Sequence, residues 1–287
     1  MSVGIVIVLF NPDVVHIEKL LSEFNSDRWS IVLVDNSSEE SQIALTCNCK
    51  YIHCPSNVGI AEAQNIGLRF LFSQKYRYSF LLDQDSQFSP FIATRLFAQY
   101  EQIEKLHPIA ALGPAIHCQF SNTVQQGVLQ KGKQVSSELI EVKQIIASGM
   151  LLSKDVFEKV GAKEASLFID GVDHEWCWRA KSKGFRIFQS LTVSMPHRQG
   201  DNRIKVAGVT FKQGASIRLY YQFRNVLVLS RRRYVPFYWK CRHLFAIPLR
   251  YLINRFVFES GQERGRFMIK GLKDGLRKNL GPFKEFE

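Results

Sequence analysis

The chain has 287 residues, of which 46% are hydrophobic, and carries a formal net charge of +12. It can bury one large or two small cores, and it contains no low-complexity segment. No stretch approaches the roughly 20 apolar residues of a transmembrane helix, and residues 1–4 lack the basic start of a signal peptide. The six cysteines lack the paired spacing of a zinc site, which favours reduced thiols in a cytoplasm.

Apolar runs and amphipathic segments alternate along the first part of the chain. The patterns predict strands at residues 3–10, 30–34, 50–53, 78–82 and 109–116, and helices at residues 13–24, 57–74 and 90–106. Such alternation predicts right-handed β-α-β crossovers. We therefore expect an α/β, Rossmann-like fold with a mostly parallel central sheet and helices on both faces.

Polar side chains follow three of the predicted strands. The carboxyl ends of parallel strands meet at one edge of a sheet, and ligands bind in the crevice there. The sequence therefore predicts one crevice lined by Asn11, Asp35, Asn36, Asp83 and Asp85.

Asp83 and Asp85 follow directly on a buried, strand-like run. In extended backbone, residues i and i+2 point to the same face, so these carboxylates would repel each other without a nearby cation. Mg²⁺ or Mn²⁺ on a diphosphate suits such a pair, because both ions take oxygen ligands. A simple turn is the alternative interpretation, since Asp and Ser favour turns and helix caps.

The first strand lacks the glycines of a dinucleotide site. Asn11 and Pro12 follow it in place of G-x-G-x-x-G, and the sequence contains no G-x-x-x-x-G-K-[ST] loop. These differences argue against a Rossmann dehydrogenase and a P-loop nucleotidase. A nucleotide would instead be held by Asp35, which can accept from the imide N–H of a uracil or thymine ring, and by the small residues and amides of residues 57–67.

Residues 203–287 hold most of the cationic excess, interleaved with aromatic and aliphatic residues. Such a segment can bind nucleic acid or an anionic membrane. No nucleic-acid motif accompanies it, whereas the apolar residues recur at roughly helical spacing. We predict a basic amphipathic helical tail over residues 233–287 that lies on a membrane surface, with a packing or oligomerisation element as the alternative. The predicted lipid contacts are Arg231, Arg232, Arg233, Arg242 and Arg250.

Four motifs stand in order along the chain: Val34-Asp35-Asn36-Ser37, Asn57-x-Gly59-x-Ala61-x-Ala63-x-Asn65-x-Gly67, Leu82-Asp83-Gln84-Asp85, and Asp173-x-Glu175-Trp176-x-x-Arg179. The set resembles that of the inverting family-2 glycosyltransferases of the GT-A fold. Three further segments narrow the resemblance to bacterial rhamnosyltransferases of O-antigen and lipopolysaccharide synthesis: Leu167-Phe168-Ile169-Asp170-x-x-Asp173, Met195-Pro196-His197-Arg198-x-Gly200, and Tyr220-Tyr221-x-x-Arg224-Asn225. The resemblance covers residues 3 to about 232.

The resemblance implies a role for each matching residue. Asp173 would be the general base, and Asp85 and His197 would hold a divalent metal, Mg²⁺ or Mn²⁺. Donor-nucleotide binding falls to Asn11, Asp35, Asn36, Asn57, Gly59, Asn65 and Asp83. Acceptor contact or support falls to Ser148, Gly149, Asp170, Glu175, Trp176, Arg179, Tyr221 and Arg224, with Trp176 or Trp178 directed towards the acceptor sugar.

The sequence also departs from the pattern and leaves other interpretations open. Val172 stands where the family usually has a first acid, although the rhamnosyl subgroup is similar there. From the residues alone, Asp173, Glu175 and Arg179 also suit a capped, salt-bridged helix start. His197 also suits an ordinary loop.

The implied organisation is a glycosyltransferase domain over residues 1–232, with a nucleotide-binding half to about residue 116 and an acceptor half over residues 117–232, followed by the tail. The implied reaction moves L-rhamnose from dTDP-β-L-rhamnose to a lipid-linked oligosaccharide at the cytoplasmic face of the inner membrane. A UDP-hexose donor and a non-glycosyl nucleotide-binding protein are the alternatives. The sequence does not decide whether the protein forms a homo-oligomer.

Overall fold

A computed structural model describes residues 3–118, 123–124, 132–197, 202–206 and 209–285. The first elements are strand β1 (Val3–Leu9), helix α1 (Val14–Glu23), β2 (Trp29–Asp35), β3 (Cys49–His53), α2 (Gly59–Ser73), β4 (Tyr78–Asp83), α3 (Pro90–Glu104) and β5 (Ile109–Cys118). Every strand and helix predicted over this part of the chain is therefore confirmed, with small shifts at the ends.

Seven more strands and five helices follow in the described residues. They are β6 (Thr123–Val124), β7 (Lys133–Gln134), β8 (Leu139–Val142), β9 (Met150–Ser153), α4 (Lys154–Val160), α5 (Val172–Ser182), β10 (Arg186–His197), β11 (Asn202–Val206), β12 (Val209–Gln213), α6 (Ser216–Ser230), α7 (Phe237–Phe256) and α8 (Gly261–Arg277). A single 3-10 turn, Ala165–Leu167, precedes α5.

The main sheet has the order β3-β2-β1-β4-β9-β5-β10-β8-β7, and β6 pairs with β5. Strands β3, β2, β1 and β4 are parallel to one another, as are β5 and β10. Strand β9 is antiparallel to both β4 and β5, so these two strands run in the same direction. The predicted α/β fold with a mostly parallel sheet is confirmed. Because β9 runs backwards, its amino end lies at the same edge as the carboxyl end of β4.

Strand β1 lies at the centre of two hydrophobic layers. Ile5 and Ile7 belong to the core on one face of the sheet, whereas Val6 and Val8 belong to the core on the other face. This double burial explains the continuous apolar run in the sequence. Helix α2 packs closely on the second face because Gly67 lacks a Cβ, which would clash with Val6.

The C-terminal helices pack back on the rest of the chain. Tyr220 of α6 donates a hydrogen bond to Asp274 of α8 over 3.0 Å, and Met268 of α8 packs with Phe223. The predicted helical extension is thus confirmed, while the domain boundary near residue 232 stays a prediction. Among the described helices, none combines the length and the apolar character that crossing a bilayer requires.

Candidate functional site

The loops that follow β1, β2 and β4 are joined by hydrogen bonds. The backbone N–H of Phe10 donates to Gln84 Oε1 over 2.7 Å, and that of Asn11 donates to Ser37 Oγ over 2.7 Å. The backbone N–H of Asn36 donates to the carbonyl of Leu9 over 2.9 Å. The polar residues at these strand ends therefore lie side by side, which is the arrangement that the predicted crevice requires.

Asp35 is fully buried and organises the loop after β2. Its carboxylate accepts from the Ser37 N–H and Oγ over 2.8 and 2.6 Å, from Tyr51 Oη over 2.6 Å, and from the Ser41 N–H over 3.2 Å. Burial raises the pKa of Asp35, but the hydrogen bonds from Ser37, Ser41 and Tyr51 outweigh it and lower the pKa to about 2. Four donors satisfy the usual capacity of a carboxylate, so contact with a nucleotide base requires one donor to be exchanged.

Asn36 and Asn57 shape the start of α2. Asn36 Nδ2 donates to the carbonyl of Gly59 over 3.3 Å, and its Oδ1 accepts from the Val58 N–H over 3.2 Å. Asn57 Oδ1 accepts from the N–H of Gly59 over 2.9 Å. Gly59 has a φ of +80°, and an added Cβ would lie 2.7 Å from the carbonyl oxygen of Phe168. Their assignment to donor binding stays a prediction, and the structure gives them a role in loop geometry.

The backbone after β4 differs from the expectation for Asp83 and Asp85. Strand β4 ends at Asp83, and residues 84 and 85 form a turn. Ser86 closes this turn, since its N–H donates to the Asp83 carbonyl over 3.0 Å and its Oγ accepts from the Asp83 N–H over 3.1 Å. The prediction that both acids share one face of an extended strand is therefore wrong, because turn formation overrides it. Asp83 is half-buried, and Asp85 is exposed.

Residues 147 and 148 connect Asp83 to Asp173. The hydroxyl of Ser148 donates to Asp83 Oδ2, and the backbone N–H of Ala147 donates to Asp173 Oδ2 over 2.9 Å. Lys163 Nζ lies 2.6 Å from Asp173 Oδ1. The side chain of Lys163 is fully buried, whereas that of Asp173 is 23% exposed. Asp173 is thus oriented from both sides and still reaches solvent.

Asn65 positions the lysine of this network. Its side-chain amide donates to the Lys163 carbonyl and accepts from the Lys163 N–H, each over 2.8 Å. Asn65 is buried, and it donates a further hydrogen bond to Glu62 over 3.0 Å. In this structure Asn65 therefore supports Lys163, while its assigned contact with the donor stays a prediction.

The loop before α5 has an unusual backbone. Phe168, Asp170 and Gly171 have φ values of 66°, 63° and 87°, a region that residues with a side chain rarely occupy. Such strain persists only when the surroundings fix it, and it concentrates at functional sites. The fixing contacts come from α6, where Asn225 Nδ2 donates to the carbonyls of residues 167, 169 and 170 over 2.7–3.0 Å.

Tyr221 and Arg224 of α6 also hold this loop. Arg224 is fully buried and donates to the carbonyls of Ser166 and Leu167. The ring of Tyr221 stacks on that of Phe168, with centroids 4.9 Å apart. Of the two predicted roles, acceptor contact or support, these contacts of Tyr221 and Arg224 favour support of the loop. Gly149, at the amino end of β9, has a φ of +81° and donates its N–H to Leu81 over 2.9 Å.

Asp170 forms a two-pronged ion pair with Arg218, whose Nε and Nη2 each lie 2.9 Å from a carboxylate oxygen. The hydrogen bond from this pairing raises the pKa of Arg218, and the charge of Asp83 adds to the effect. Arg218, at the start of α6, therefore lies close enough to the carboxyl end of β4 to interact electrostatically with Asp83.

Glu175, Trp176 and Trp178 of α5 are buried. Trp176 is buried and donates its indole N–H to the Gly161 carbonyl over 2.9 Å. Glu175 is buried and accepts from Arg179 over 2.8 Å and from Tyr234 over 2.6 Å. The expectation that Trp176 or Trp178 faces the acceptor is wrong, because both rings pack in the core. Glu175, Trp176 and Arg179 are supporting residues.

Of the predicted metal ligands, the structure describes the side chains of the carboxylates only. Asp83 and Asp85 offer the oxygen donors that Mg²⁺ and Mn²⁺ prefer. Residue His197 ends β10, and its side chain lies outside the described part. The described ranges contain no group of three or more His, Cys, Asp or Glu residues placed to hold a metal. A metal at Asp85 would thus take its other ligands from water and from a bound phosphate, as Mg²⁺ commonly does.

Sequence reasoning missed two cations and two hydroxyl groups of this region: Lys163, Arg218, Ser37 and Tyr51. Lys163 stands outside every motif, and its contact with Asp173 is formed by folding. Ser37 belongs to a quoted motif and directly follows Asp35 and Asn36, so an Asx-type turn was a usable signal there.

Comparisons with known proteins agree on the class of this protein. The profile of "Glycosyl transferase family 2" matches residues 5–161, which is more than half of the chain. The dTDP-rhamnosyl transferase RfbF of Shigella flexneri is 29% identical over 238 residues, covering 80% of each chain. The low-salt glycan biosynthesis hexosyltransferase Agl10 of Haloferax volcanii is 23% identical over 268 residues, covering 87% of this chain and 83% of Agl10.

Solved structures share the fold at low identity. A crystal structure of GalNAc-T7 with UDP, GalNAc and Mn²⁺ has a TM-score of 0.56 and 16% identity. The match covers 97% of this chain and 56% of the GalNAc-T7 chain. TarS of S. aureus, residues 1–349, has a TM-score of 0.52 and 10% identity, covering 96% of this chain and 81% of that one. With the GT-A fold of these neighbours and the family match, the chain is a glycosyltransferase and belongs to glycosyl transferase family 2.

Proposed function

We propose that the protein is an inverting, metal-dependent rhamnosyltransferase. It would move L-rhamnose from dTDP-β-L-rhamnose to a hydroxyl group of a lipid-linked oligosaccharide in bacterial surface polysaccharide synthesis. The observation that carries the proposal is the link from Asp83 through Ser148 and Ala147 to Asp173, which puts a solvent-accessible carboxylate beside the end of β4, where the donor would bind. The similarity to RfbF supports the choice of sugar.

Asp173 suits the role of general base. The charged hydrogen bond from Lys163 and the Ala147 N–H fix the orientation of its carboxylate. The exposed part of the carboxylate would accept the proton of the acceptor hydroxyl while that oxygen attacks the anomeric carbon. Attack from the side opposite the departing diphosphate breaks the glycosyl–phosphate bond in the same step and inverts the anomeric centre.

Asp85, together with Asp83, would hold the divalent metal on the donor diphosphate. When bound, the metal neutralises the negative charge that develops on the leaving diphosphate. Mn²⁺ accompanies UDP in the GalNAc-T7 structure, which supports a metal in this fold. Asp35, Asn36 and Asn57 would keep the loops around the proposed nucleotide site in place through the contacts described above.

A lipid-linked acceptor requires the enzyme to work at a membrane surface. Helix α7 exposes apolar side chains at a spacing of three and four residues: Phe245, Leu249, Leu252 and Phe256. These positions form one stripe on a helix, and a stripe of this kind inserts into the headgroup region of a bilayer. Two exposed arginines, Arg242 of α7 and Arg233 shortly before α7, suit anionic lipid. The proposed location is the inner face of the cytoplasmic membrane.

A donor screen tests the proposal. The purified full chain is incubated with a membrane-extracted acceptor, Mg²⁺ or Mn²⁺, and dTDP-β-L-rhamnose, UDP-glucose or UDP-galactose, and transfer of labelled sugar is measured. We expect transfer from dTDP-rhamnose that a chelator abolishes. Preferred transfer from a UDP-hexose would instead support the second candidate, a hexosyltransferase like Agl10. Nucleotide binding without transfer from any donor would contradict both.

A substitution of Asp85 tests the metal assignment separately. Asp85→Ala should lower turnover by about a thousandfold, because it removes a ligand of the charge-neutralising metal. The matched control is Asp27→Ala, which removes another exposed acid at the amino edge of the parallel strands, opposite the carboxyl end of β4. Unchanged turnover in Asp85→Ala would remove Asp85 from the metal site.

A further inference from the structure

A second concave region lies beside the proposed active site. It is a cavity of about 590 Å³ between α6, α7 and the starts of α5 and α8. Four arginines and two histidines line it: Arg218, Arg242, Arg250, Arg264, His174 and His243. Among its described lining residues, Asp170 is the single acid.

Most of the positive charge in this cavity has no negative partner. Arg218 alone pairs with Asp170. Arg250 donates to the side-chain oxygen of Gln222, and Arg264 donates to Asn254 Oδ1 over 2.8 Å and to the Gly214 carbonyl over 3.2 Å. Neutral acceptors hold these two guanidinium groups in place and do not cancel their charges. Within the described residues, no carboxylate forms an ion pair with Arg242, Arg250 or Arg264.

His243 of α7 lines the same cavity as these arginines. Burial lowers the pKa of His243, and the charges of Arg250, Arg242 and His174 act in the same direction, which together bring the pKa to about 4. Its ring packs against Trp239, with centroids 4.3 Å apart. His243 is therefore neutral near pH 7, and any anion that enters the cavity will raise its pKa. Arg218, Arg264 and Asp170 are the other charged groups around the same space.

We propose that this cavity binds the phosphate or diphosphate group of the acceptor's lipid carrier. The inference rests on the proposed transferase function and adds a second anion site to it. The donor diphosphate suits the β4 edge, where carboxylates can share its metal. The cavity offers arginines in place of carboxylates, which suits an anion that arrives without a metal.

The surroundings of the cavity fit a ligand with a charged head and an apolar tail. Arg242, His243 and Arg250 of α7 line the cavity, while Phe245 and Leu249 of the same helix are exposed. One helix thus offers cations on one side and an apolar surface on another. Arg218 and Asp170 border the cavity next to α5, so a sugar attached to the bound phosphate would extend towards Asp173.

Inorganic pyrophosphate is the first probe, because its binding does not depend on any transfer activity. Calorimetry on the full chain should detect binding, and NMR should show that the pKa of His243 rises when pyrophosphate is present. Arg242→Gln should weaken binding about tenfold, the usual effect of losing one charged hydrogen bond. Arg242 is exposed, so this variant should fold. The matched control is Arg233→Gln, an exposed arginine outside the cavity.

The outcomes of this first experiment are distinct. No binding, an unchanged His243 pKa, or equal weakening in Arg233→Gln would overturn the proposal, since the arginines would then attract anions without a specific site. Equal weakening of pyrophosphate and dTDP binding in Arg242→Gln would also overturn it, because the cavity would then belong to the donor.

A second experiment identifies the source of the phosphate. Farnesyl diphosphate should bind more tightly than inorganic pyrophosphate, because its tail adds contact with the α7 surface. Equal affinity would assign the cavity to a free diphosphate and overturn the lipid-carrier assignment. In transfer assays, Arg242→Gln should raise KM about tenfold more for a diphosphate-linked acceptor than for a phosphate-free glycoside. If no transferase activity is found at all, the pyrophosphate experiment still decides whether the anion site exists.

Discussion

The edge of the sheet at β4 and the cavity beside α7 differ in how their charged side chains are partnered. At the edge, Asp35 accepts four hydrogen bonds, and Asp173 accepts one from Lys163 and one from Ala147. In the cavity, Arg250 and Arg264 are held by neutral oxygens. The edge therefore uses internal partners to orient its acids, whereas the cavity keeps a positive field that only a ligand can neutralise.

This difference separates carboxylates that are already oriented for a reaction from arginines that still lack an anionic partner. A preorganised carboxylate needs no rearrangement during the reaction, which is the condition for efficient proton transfer and electrostatic stabilisation. A set of uncompensated arginines is unfavourable in the empty protein, because burial penalises charge. Burial indeed lowers the pKa of Arg250 and of Arg264. Changes at the edge should therefore reduce activity or stability, and changes in the basic region should reduce binding.

After the loss expected for Asp85→Ala, the largest expected effect is on turnover in Asp173→Asn. The amide keeps the size of the side chain but cannot accept a proton, so the rate of sugar transfer should fall by about two orders of magnitude or more. Donor binding should be nearly unchanged. Initial rates and dTDP affinity measure both quantities, with Asp155→Asn, an exposed acid on α4, as the control. Near-normal turnover would assign the base to another acid of the segment, Asp170 or Glu175.

A second change removes the cation behind Asp173. Lys163→Gln leaves the carboxylate without its ionic partner and places an uncharged group at a fully buried position. Breaking a buried pair by removing one partner commonly costs about 3 kcal/mol or more. Urea unfolding should show this loss, and Lys159→Gln, at an exposed lysine of α4, should show almost none. Equal stability in the two variants would mean that the Lys163–Asp173 contact contributes little.

Sequence patterns predicted the sheet because burial there is regular. The apolar run of β1 and the amphipathic pattern of α1 show directly which side chains are buried, so each element could be assigned from its own residues. The strand ends of β1, β2 and β4 followed from topology, since parallel strands present their carboxyl ends together. Asp173 followed from a resemblance to known sequences.

Contacts between distant segments could not be predicted in this way. Lys163 meets Asp173 only because Asn65, almost a hundred residues earlier, binds its backbone. Trp176 or Trp178 was expected to face the acceptor sugar, but a helix that is buried on most sides gives no amphipathic pattern to show which face is exposed. The cavity is likewise formed by residues from four helices, whose cations look like an ordinary solvated face in the sequence.

The stability of the edge should depend on acid pH through Asp35. Its pKa is lowered from 3.8 to about 2 in the folded protein, so the ionised form stabilises the fold. This contribution is present above about pH 4 and is lost as the pH falls through about 2, and it amounts to about 2 kcal/mol. Urea unfolding at pH 7, 4 and 2.5 should show a smaller decrease for Asp35→Asn than for wild type. Asp27→Asn, at an exposed acid, should follow wild type, and parallel curves for all three proteins would contradict the assignment.

The smallest expected effect concerns the attraction of the basic region to lipid. Among the predicted lipid contacts, Arg232 instead pairs with Glu164, in the segment before α5, and Arg231 donates to the Gly275 carbonyl of α8 over 2.6 Å, so both make contacts within the protein. Arg233 is exposed, and one cation near an anionic bilayer contributes about 1 kcal/mol. Arg233→Glu should therefore weaken binding to anionic liposomes at least about fivefold at low salt, and added salt should shrink the difference because it screens the charges. Arg95→Glu, at an exposed arginine on α3, should bind like wild type. If wild-type protein binds neutral and anionic liposomes equally well at low salt, α7 and α8 serve packing or oligomerisation and the membrane proposal fails.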